Sequence, residues 1–214
     1  KNRCYYINNM ETLSKLFGSA AKVKIMRLFL SNDDMVFDNE EISNRTKVPL
    51  VTLRKELNSL EKISLIKKRI FYKELVKKKK GKEVIEKKKM NGWMLDPNFS
   101  LLAPLKNLLI KGSPVATKDI TDRLKGGGVI KLIITSGVFI QETDSRVDIL
   151  IVGDSLNYSY LEKVIHILES EIGQELRYSI LETADFNYRL GVYDKLLRDI
   201  LDYSHKKILN KLDL

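Results

Sequence analysis

The sequence predicts an α+β protein made of two domains, and three observations support this class. Residues 10–97 contain helical patterns followed by two β-strand patterns. Residues 115–214 alternate apolar, strand-like runs with helical patterns, as small α/β domains do. Between them, residues 98–114 form a linker helix that ends in a Gly-Ser-Pro break. With 214 residues, of which 43% are hydrophobic, the chain is long enough for two small cores.

The composition excludes several classes of protein and site. A single cysteine, Cys4, and two histidines cannot build a disulfide framework, a cysteine-based zinc site or a His-rich metal site. The same cysteine usage indicates a reducing, cytoplasmic setting. The longest uncharged stretch, from Leu132 to Gln141, is shorter than the roughly 18 residues that a membrane span needs. We therefore expect a cytoplasmic protein with no membrane partner, no metal and no cofactor.

The charge is distributed unevenly along the chain. Residues 1–112 hold 25 basic and 12 acidic side chains, whereas residues 113–214 hold 13 and 16. The excess is concentrated between Lys62 and Lys89, where 13 Lys or Arg stand against three Glu. A lysine-rich chain can simply be soluble, but this concentration favours an N-terminal domain that binds a polyanion.

The N-terminal patterns predict three helices. Apolar residues from Leu13 to Leu30 recur at three-to-four-residue spacing and predict one helix, with a bend at residues 18 and 19. Asp38 is a good N-cap for a second helix that ends near Thr46. Pro49 fits the first turn of a third helix that runs to about residue 63.

The third helix has two distinct faces. On a helical wheel, Leu50, Leu53, Leu57 and Leu60 lie together and are predicted to face the core. The opposite face offers Arg and Lys for guanine, Asn for adenine and Val for a thymine methyl, as in a helix that enters a major groove. A solvated helix surface would also be polar. The predicted DNA-facing residues are Val51, Thr52, Arg54, Lys55 and Asn58.

A β-hairpin with a lysine-rich tip is predicted after this helix. Its strands are Ile66–Val76 and Met90–Leu95, and Trp93 is expected to pack at its base. The lysines at the tip repel one another, and a phosphate backbone beside them explains their number better than a solvated flexible loop does. The predicted backbone clamps are Lys77, Lys78, Lys79, Lys80, Lys82, Lys87, Lys88 and Lys89.

Over about residues 12–97, the chain resembles the winged helix-turn-helix of ArsR-like bacterial transcriptional regulators. The resemblance implies sequence-specific binding to double-stranded DNA, transcription regulation and pairing as a homodimer. One departure is Ser64, where the family commonly has a glycine that ends the recognition helix. The residues that carry the likeness are 16–19, 22–24, 27–30, 54–63 and 65–66.

The C-terminal half predicts a small α/β domain. Its glycine triplet at residues 126–128 precedes a strand, so it is a connector rather than a phosphate-binding loop. The predicted elements are helix 115–124, strand 129–134, strand 146–152, helix 160–172, strand 176–181 and helix 187–203.

Residues 135–139 and 144–154 resemble the minimal nucleotidyltransferase fold. Active members have a Gly-Ser pair and then two aspartates at i and i+2 of one strand, where both carboxylates face one side and hold Mg²⁺. Here the pair is Ser136-Gly137, the first aspartate is replaced by Arg146, and only Asp148 remains. No acid occupies the neighbouring strand, residues 176–180, from which a third carboxylate usually comes.

We therefore expect no catalysis from this domain. Ser136, Gly137, Arg146 and Asp148 form a degenerate nucleotide pocket, in which Arg146 either pairs with Asp148 or is a surface residue. The domain would serve in sensing a nucleotide or small-molecule effector, or in dimerisation. Two alternatives stay open: an active, toxin-neutralising type of nucleotidyltransferase with a nucleic-acid-binding N-terminal domain, and an RNA-binding protein. His166 is expected to be partly buried and structural.

Overall fold

The computed structural model describes residues 9–79, 82–112, 117–142 and 145–212 of the chain, and for residues 9, 75–79 and 82–85 it describes the backbone alone. The protein is α+β, as predicted. Its contacts divide the chain into two compact units. Residues 13–110 with 170–174 form the first unit, and residues 111–169 with 175–214 form most of the second. The first unit therefore includes the stretch 98–110, which the sequence analysis assigns to a linker.

Four helices precede the hairpin of the first unit. The single helix predicted over residues 13–30 is wrong, because Gly18 adopts a left-handed φ of 78° and interrupts it. Ser19 then caps a new helix by accepting a hydrogen bond from the backbone N–H of Lys22 at 3.2 Å. The helices are α1 (Asn9–Phe17), α2 (Ala20–Ser31), α3 (Asn39–Thr46) and α4 (Leu50–Lys62).

The ends of α3 and α4 follow from local chemistry. The predicted cap of α3 is confirmed, since Asp38 accepts a hydrogen bond from the backbone N–H of Glu41 at 2.8 Å. Pro49 precedes α4 as its N-cap rather than lying in its first turn. The prediction that Leu50 faces the core is wrong: this first residue of α4 is 43% exposed. The buried face of α4 begins one turn later and consists of Leu53, Leu57 and Leu60.

The end of α4 is a left-handed cap made by a serine. Ser64 has a φ of 61°, and its N–H donates to the carbonyl of Glu61 at 2.8 Å. The next N–H, of Leu65, donates to the carbonyl of Leu60 at 3.1 Å. These two bonds are those of a Schellman motif, whose left-handed position glycine fills most easily. Ser64 thus gives the chain the same turn into the hairpin that a glycine would give.

The hairpin is longer than predicted. Strands β1 (Ile66–Lys79) and β2 (Lys82–Leu95) pair antiparallel from Ile66 opposite Leu95 to Lys79 opposite Lys82. Residues 77–79 and 82–89, which the sequence analysis placed at the tip, therefore belong to the two strands. Backbone pairing continues through them even though lysine has a low preference for strands. A two-residue bridge adds Phe37 to the sheet, through hydrogen bonds with Trp93 of 2.8 and 2.9 Å.

Buried side chains join these elements into one core. Phe29 of α2 meets Phe37 edge to face, with 5.9 Å between the ring centroids. Arg27, also buried, donates from Nε to the carbonyl of Leu109 at 3.0 Å, which holds the segment after the hairpin against α2. Burial lowers the pKa of Arg27, although the charge of Glu171 opposes that shift. The segment contains α5 (Leu102–Lys106) and a π-helical turn (Asn107–Lys111).

In its described residues, the second unit contains a four-stranded sheet and four helices. Its elements are α6 (Thr117–Leu124), β3 (Val129–Thr135), β4 (Ile149–Asp154), α7 (Tyr158–Ile172), β5 (Tyr178–Glu182), α8 (Thr183–Gly191), α9 (Lys195–Asp202) and β6 (Lys206–Asn210). The strand order in the sheet is β5-β4-β3-β6. Strand β4 pairs parallel with β5 and antiparallel with β3, which pairs antiparallel with β6 on its other side. Residues 113–116, which include the predicted start of α6, lie outside the described part.

Three predictions for the second unit are corrected. The helix predicted over 187–203 is two helices, because Tyr193 adopts a φ of 53° and Asp194 caps α9. Strand β4 begins at Ile149 rather than at residue 146, so Arg146 and Asp148 precede it. Strand β6 is not predicted at all, since its sequence is short and starts with two lysines.

No helix in the described ranges is long and apolar enough to cross a membrane.

The left-handed Ser64 generates a stability prediction. Replacing Ser64 with Gly removes the Cβ that opposes its φ of 61°, so the free energy of unfolding should rise by about 1 kcal/mol. Ser59 lies inside α4, where glycine is unfavourable, so Ser59→Gly should lower that free energy by about 1 kcal/mol. Chemical unfolding followed by circular dichroism measures both variants, and equal losses from both would contradict the cap.

Candidate functional site

The predicted recognition residues share the exposed side of α4. Val51 is 71% exposed, and Thr52, Arg54, Lys55 and Asn58 are exposed with it, opposite the buried leucines. Among the described residues, neither Arg54 nor Lys55 has an ion-pair partner. Their donor groups are therefore available to a ligand. The structure brings all five predicted residues of this helix together on one face.

Two ion pairs join α4 to neighbouring elements of the first unit. Lys22 of α2 lies 3.5 Å from Glu56 of α4. Lys68 of β1 lies 2.9 Å from Glu61 near the end of α4, and its Nζ also lies 5.1 Å from the centroid of the Trp93 ring. The helix and the hairpin thus have a defined position relative to each other within the first unit.

Trp93 packs at the base of the hairpin, as predicted. Its side chain is nearly buried, and its Nε1 donates to Oδ1 of Asn39, the first residue of α3, at 2.9 Å. Gly92 beside it has no room for a side chain, because a Cβ would lie 2.8 Å from atoms of both Val36 and Phe71. The backbone of β2 therefore lies directly against the segment that precedes α3.

One carboxylate connects the hairpin to the start of α3. Oδ2 of Asp38 lies 2.6 Å from Nζ of Lys73 in β1, while its Oδ1 accepts the capping bond from Glu41. Burial raises the pKa of Asp38, but the hydrogen bonds from Lys73 and Glu41 and the charge of Lys73 outweigh burial and hold it below its usual value. The hydrogen bond to Asp38 likewise raises the pKa of Lys73.

The structure describes the predicted clamp lysines to different extents. Lys88 and Lys89 are exposed on β2, and Lys87 is exposed as well but lies 3.4 Å from Glu74. Only the backbone of Lys77, Lys78, Lys79 and Lys82 is described, and Lys80 lies outside the described residues. The pair of Lys87 and Glu74 is exposed, so it contributes little to stability.

Sequence reasoning missed two apolar residues on this hairpin. Ile70 and Tyr72 of β1 are 55% and 66% exposed. The register pairs them with Asn91 and Lys89, so all four project from the same face of the sheet. The two-residue period of a strand, which places Ile70 and Tyr72 on one face, is the signal that could have identified them as a pair. An exposed aliphatic and aromatic pair beside lysines offers contact surface for a sugar or a base edge.

In the second unit, four hydrogen bonds occupy the carboxylate of Asp148. This residue is only 1% exposed. Its Oδ1 accepts from the backbone N–H of Val138 at 3.0 Å and from Nη2 of Arg177 at 3.2 Å. Its Oδ2 accepts from the backbone N–H and from Nε of Arg177, at 2.8 and 3.1 Å. Both oxygens are thus committed to donors from the protein.

Ser136 and Gly137 pack around the same carboxylate. The hydroxyl of Ser136 donates to the carbonyl of Val147, and its N–H donates to the carbonyl of Asp148 at 2.9 Å. Gly137 has a left-handed φ of 54°, and a Cβ there would collide with Oδ1 of Asp148. The predicted pocket residues Ser136, Gly137 and Asp148 therefore meet, but they form a closed set of internal contacts.

Arg146 is not part of this set. Of its two predicted alternatives, pairing with Asp148 is wrong: its Nε lies 2.6 Å from Oδ2 of Asp199 in α9, and its side chain is 56% exposed. The guanidinium on Asp148 comes instead from Arg177, just before β5, which sequence reasoning missed. Arg177 and Asp148 are far apart in the sequence, so no local pattern identifies Arg177 as the partner of Asp148.

The prediction for His166 is corrected by the structure. His166 is exposed rather than partly buried, and its Nδ1 lies 2.6 Å from Oε2 of Glu169 one turn along α7. Among the described residues, no group of three or more His, Cys, Asp or Glu side chains is arranged to hold a metal ion. Cys4 lies outside the described part of the chain.

Comparison with known proteins gives no match. The sequence matches no protein-family model, and searches of curated proteins and of solved structures return no match. The assignment of a function therefore depends on the geometry described above.

The Asp38–Lys73 pair predicts how stability depends on pH. Because folding holds the pKa of Asp38 down, the pair stabilises the protein above the unfolded carboxyl pKa of about 4. This stabilisation is lost as the pH falls through the pKa of Asp38 in the folded protein, which is lower than its pKa in the unfolded chain. Asp38→Asn should therefore cost about 1 kcal/mol near neutral pH and progressively less in acid.

Chemical unfolding of both proteins between about pH 3 and pH 7 measures this difference. Asp34→Asn is the matched control, because Asp34 is an exposed acid shortly before the cap. It should leave the free energy of unfolding nearly unchanged. A cost of Asp38→Asn that stays constant across the pH range would contradict the ion pair.

Proposed function

We propose that the chain binds double-stranded DNA in a sequence-specific way and acts as a transcriptional regulator of the ArsR-like, winged helix-turn-helix type. The observation that carries the proposal is the exposed polar face of α4, fixed beside a long, lysine-rich β-hairpin in the same unit. A helix with free Arg, Lys and Asn side chains and an adjacent source of positive charge are the two parts that such binding needs.

The helix would read the bases. Arg54 and Lys55 offer donors to guanine, Asn58 can both donate to and accept from adenine, and the methyl groups of Val51 suit thymine. Three observations support this role: the side chains are exposed, they are unpaired among the described residues, and the leucines behind them are rigidly buried. A helix held in this way presents its polar side chains without further ordering.

The hairpin would clamp the phosphate backbone. Antiparallel pairing over 14 residues on each strand extends its lysines well beyond the segment of α3 against which the hairpin packs. Lys88 and Lys89 are exposed nearer the base, opposite Lys73 and Tyr72, and their charges attract any polyanion. The hairpin therefore contributes affinity, whereas the helix contributes sequence preference.

We further propose that the second unit is a nucleotidyltransferase-like domain without catalytic activity, which serves in sensing or dimerisation. A catalytic carboxylate of this type must offer oxygen lone pairs to Mg²⁺. In Asp148 both oxygens already accept hydrogen bonds, and the guanidinium of Arg177 supplies the positive charge that a bound cation would otherwise bring. This arrangement weighs against the alternative of an active nucleotidyltransferase.

The DNA proposal predicts different effects for helix and hairpin. After selection of bound sites from a pool of genomic fragments, Arg54→Ala should lose about 1–3 kcal/mol at one guanine and relax preference there. Arg54→Lys, which keeps the charge but not the bidentate geometry, should also relax it. Lys88→Gln with Lys89→Gln should weaken binding to all sequences and reduce the salt slope by about 1.8.

Lys163→Gln provides the control, because Lys163 is an exposed lysine of α7 in the second unit. It should leave both sequence preference and salt slope unchanged. Identical effects of the helix and hairpin variants would contradict the division of roles. Equal affinity for duplex RNA would favour the RNA-binding alternative instead.

The inactive-domain proposal predicts indifference to Mg²⁺. With a nucleoside triphosphate present, adding about 10 mM Mg²⁺ should not raise the unfolding midpoint above its value with the nucleotide alone, because a ligand stabilises only the state it binds. Asp148→Asn should lower the free energy of unfolding by about 2 kcal/mol, since it disturbs the four hydrogen bonds to a buried carboxylate. Glu162→Gln, at an exposed acid of α7, is the control. Stabilisation by Mg²⁺ that Asp148→Asn abolishes would overturn the proposal.

A further inference from the structure

The turn between α8 and α9 combines a recess with a projecting aromatic side chain. A cavity of about 380 Å³ lies between these helices, with an apolar lining that includes Leu197 and Leu201. Tyr193 stands at the same cavity and is 77% exposed. Its backbone has a φ of 53°, a conformation that costs a tyrosine energy and is usually retained for a reason.

Charges of both signs surround the recess. Arg189 and Asp194 are already engaged, since Arg189 binds Asp185 at 3.0 Å and Asp194 accepts the N–H groups at the start of α9. Arg198 and Asp202 lie one turn apart on α9, both exposed, and in the described part of the chain neither has an ion-pair partner. One positive and one negative group thus remain available on the same helix face.

This balance argues against a nucleotide or another anion in the recess. The carboxylates of Asp194 and Asp202 would repel phosphates, and only one guanidinium, that of Arg198, is left to attract them. A surface that offers one group of each sign instead complements itself. In an isologous pair, residue i of one copy meets residue j of the other, and residue j meets residue i.

We infer that the α8–α9 face pairs with the same face of a second copy of this chain. Each Tyr193 enters the recess of the other copy, and each Arg198 meets Asp202 of the other across an antiparallel pair of α9 helices. Tyrosine is enriched at protein interfaces, and each one buries about 150–250 Å². This inference rests on the dimerisation role proposed for the second unit. The homodimer does not require DNA, so its test can fail without affecting the proposal of DNA binding.

Sedimentation equilibrium of the full chain without DNA, over a range of concentrations, tests the inference. The wild-type mass should rise to twice that of one chain. Tyr193→Gly removes the projecting side chain and also suits the left-handed backbone, so this variant keeps its fold. It should raise the dimer dissociation constant by at least about tenfold. Tyr158→Ser, at an exposed tyrosine of α7, should not change it.

The inferred contact between Arg198 of one copy and Asp202 of the other is tested by exchanging the two charges. Arg198→Glu alone places two acids together in each half of the interface and should weaken the dimer by at least about tenfold. Combining Arg198→Glu with Asp202→Arg restores opposite charges with reversed polarity and should recover most of the affinity. A wild-type chain that stays monomeric, a dimer indifferent to Tyr193→Gly, or a double variant no better than the single one would each overturn the inference.

Discussion

The first unit depends on the carboxylate of Asp38. It caps α3 with one oxygen and binds Lys73 of the hairpin with the other, and the preceding residue, Phe37, joins the same hairpin through Trp93. An isolated two-stranded hairpin is marginally stable in water. The helices and the hairpin are therefore fixed to each other through a few residues, and that connection is what would allow α4 and the lysines to act on one ligand.

The second unit has a corresponding centre, in which a guanidinium neutralises a buried carboxylate. Arg177 supplies three of the four hydrogen bonds to Asp148, one from its backbone and two from its side chain. A buried charge is costly unless it is paired and fully hydrogen-bonded. The same contacts that stabilise Asp148 also use both of its carboxylate oxygens as hydrogen-bond acceptors. Structural stability and catalysis therefore make opposite demands on this residue.

Local signals in the sequence predicted much of the fold, and non-local ones were missed. The Asp38 cap, the buried Leu53, Leu57 and Leu60, and the start of β1 each depend on neighbours within a few residues. The pairing of β6 with β3 and the contact of Arg177 with Asp148 join segments far apart in sequence, and no periodicity reports them. The interruption at Gly18 was predicted only as a bend and the one at Tyr193 was missed, because a left-handed residue hardly changes the apolar spacing on either side.

The uneven charge fits two different kinds of association. The first 112 residues carry the basic excess, and like charges so dense oppose close contact between two copies of the hairpin. A polyanion removes that repulsion, whereas a second copy would add to it. The remaining residues are nearly neutral, with 13 basic and 16 acidic side chains, so two copies can meet there at little electrostatic cost. Charge alone therefore favours nucleic acid as the partner of the first unit and self-association as the role of the second.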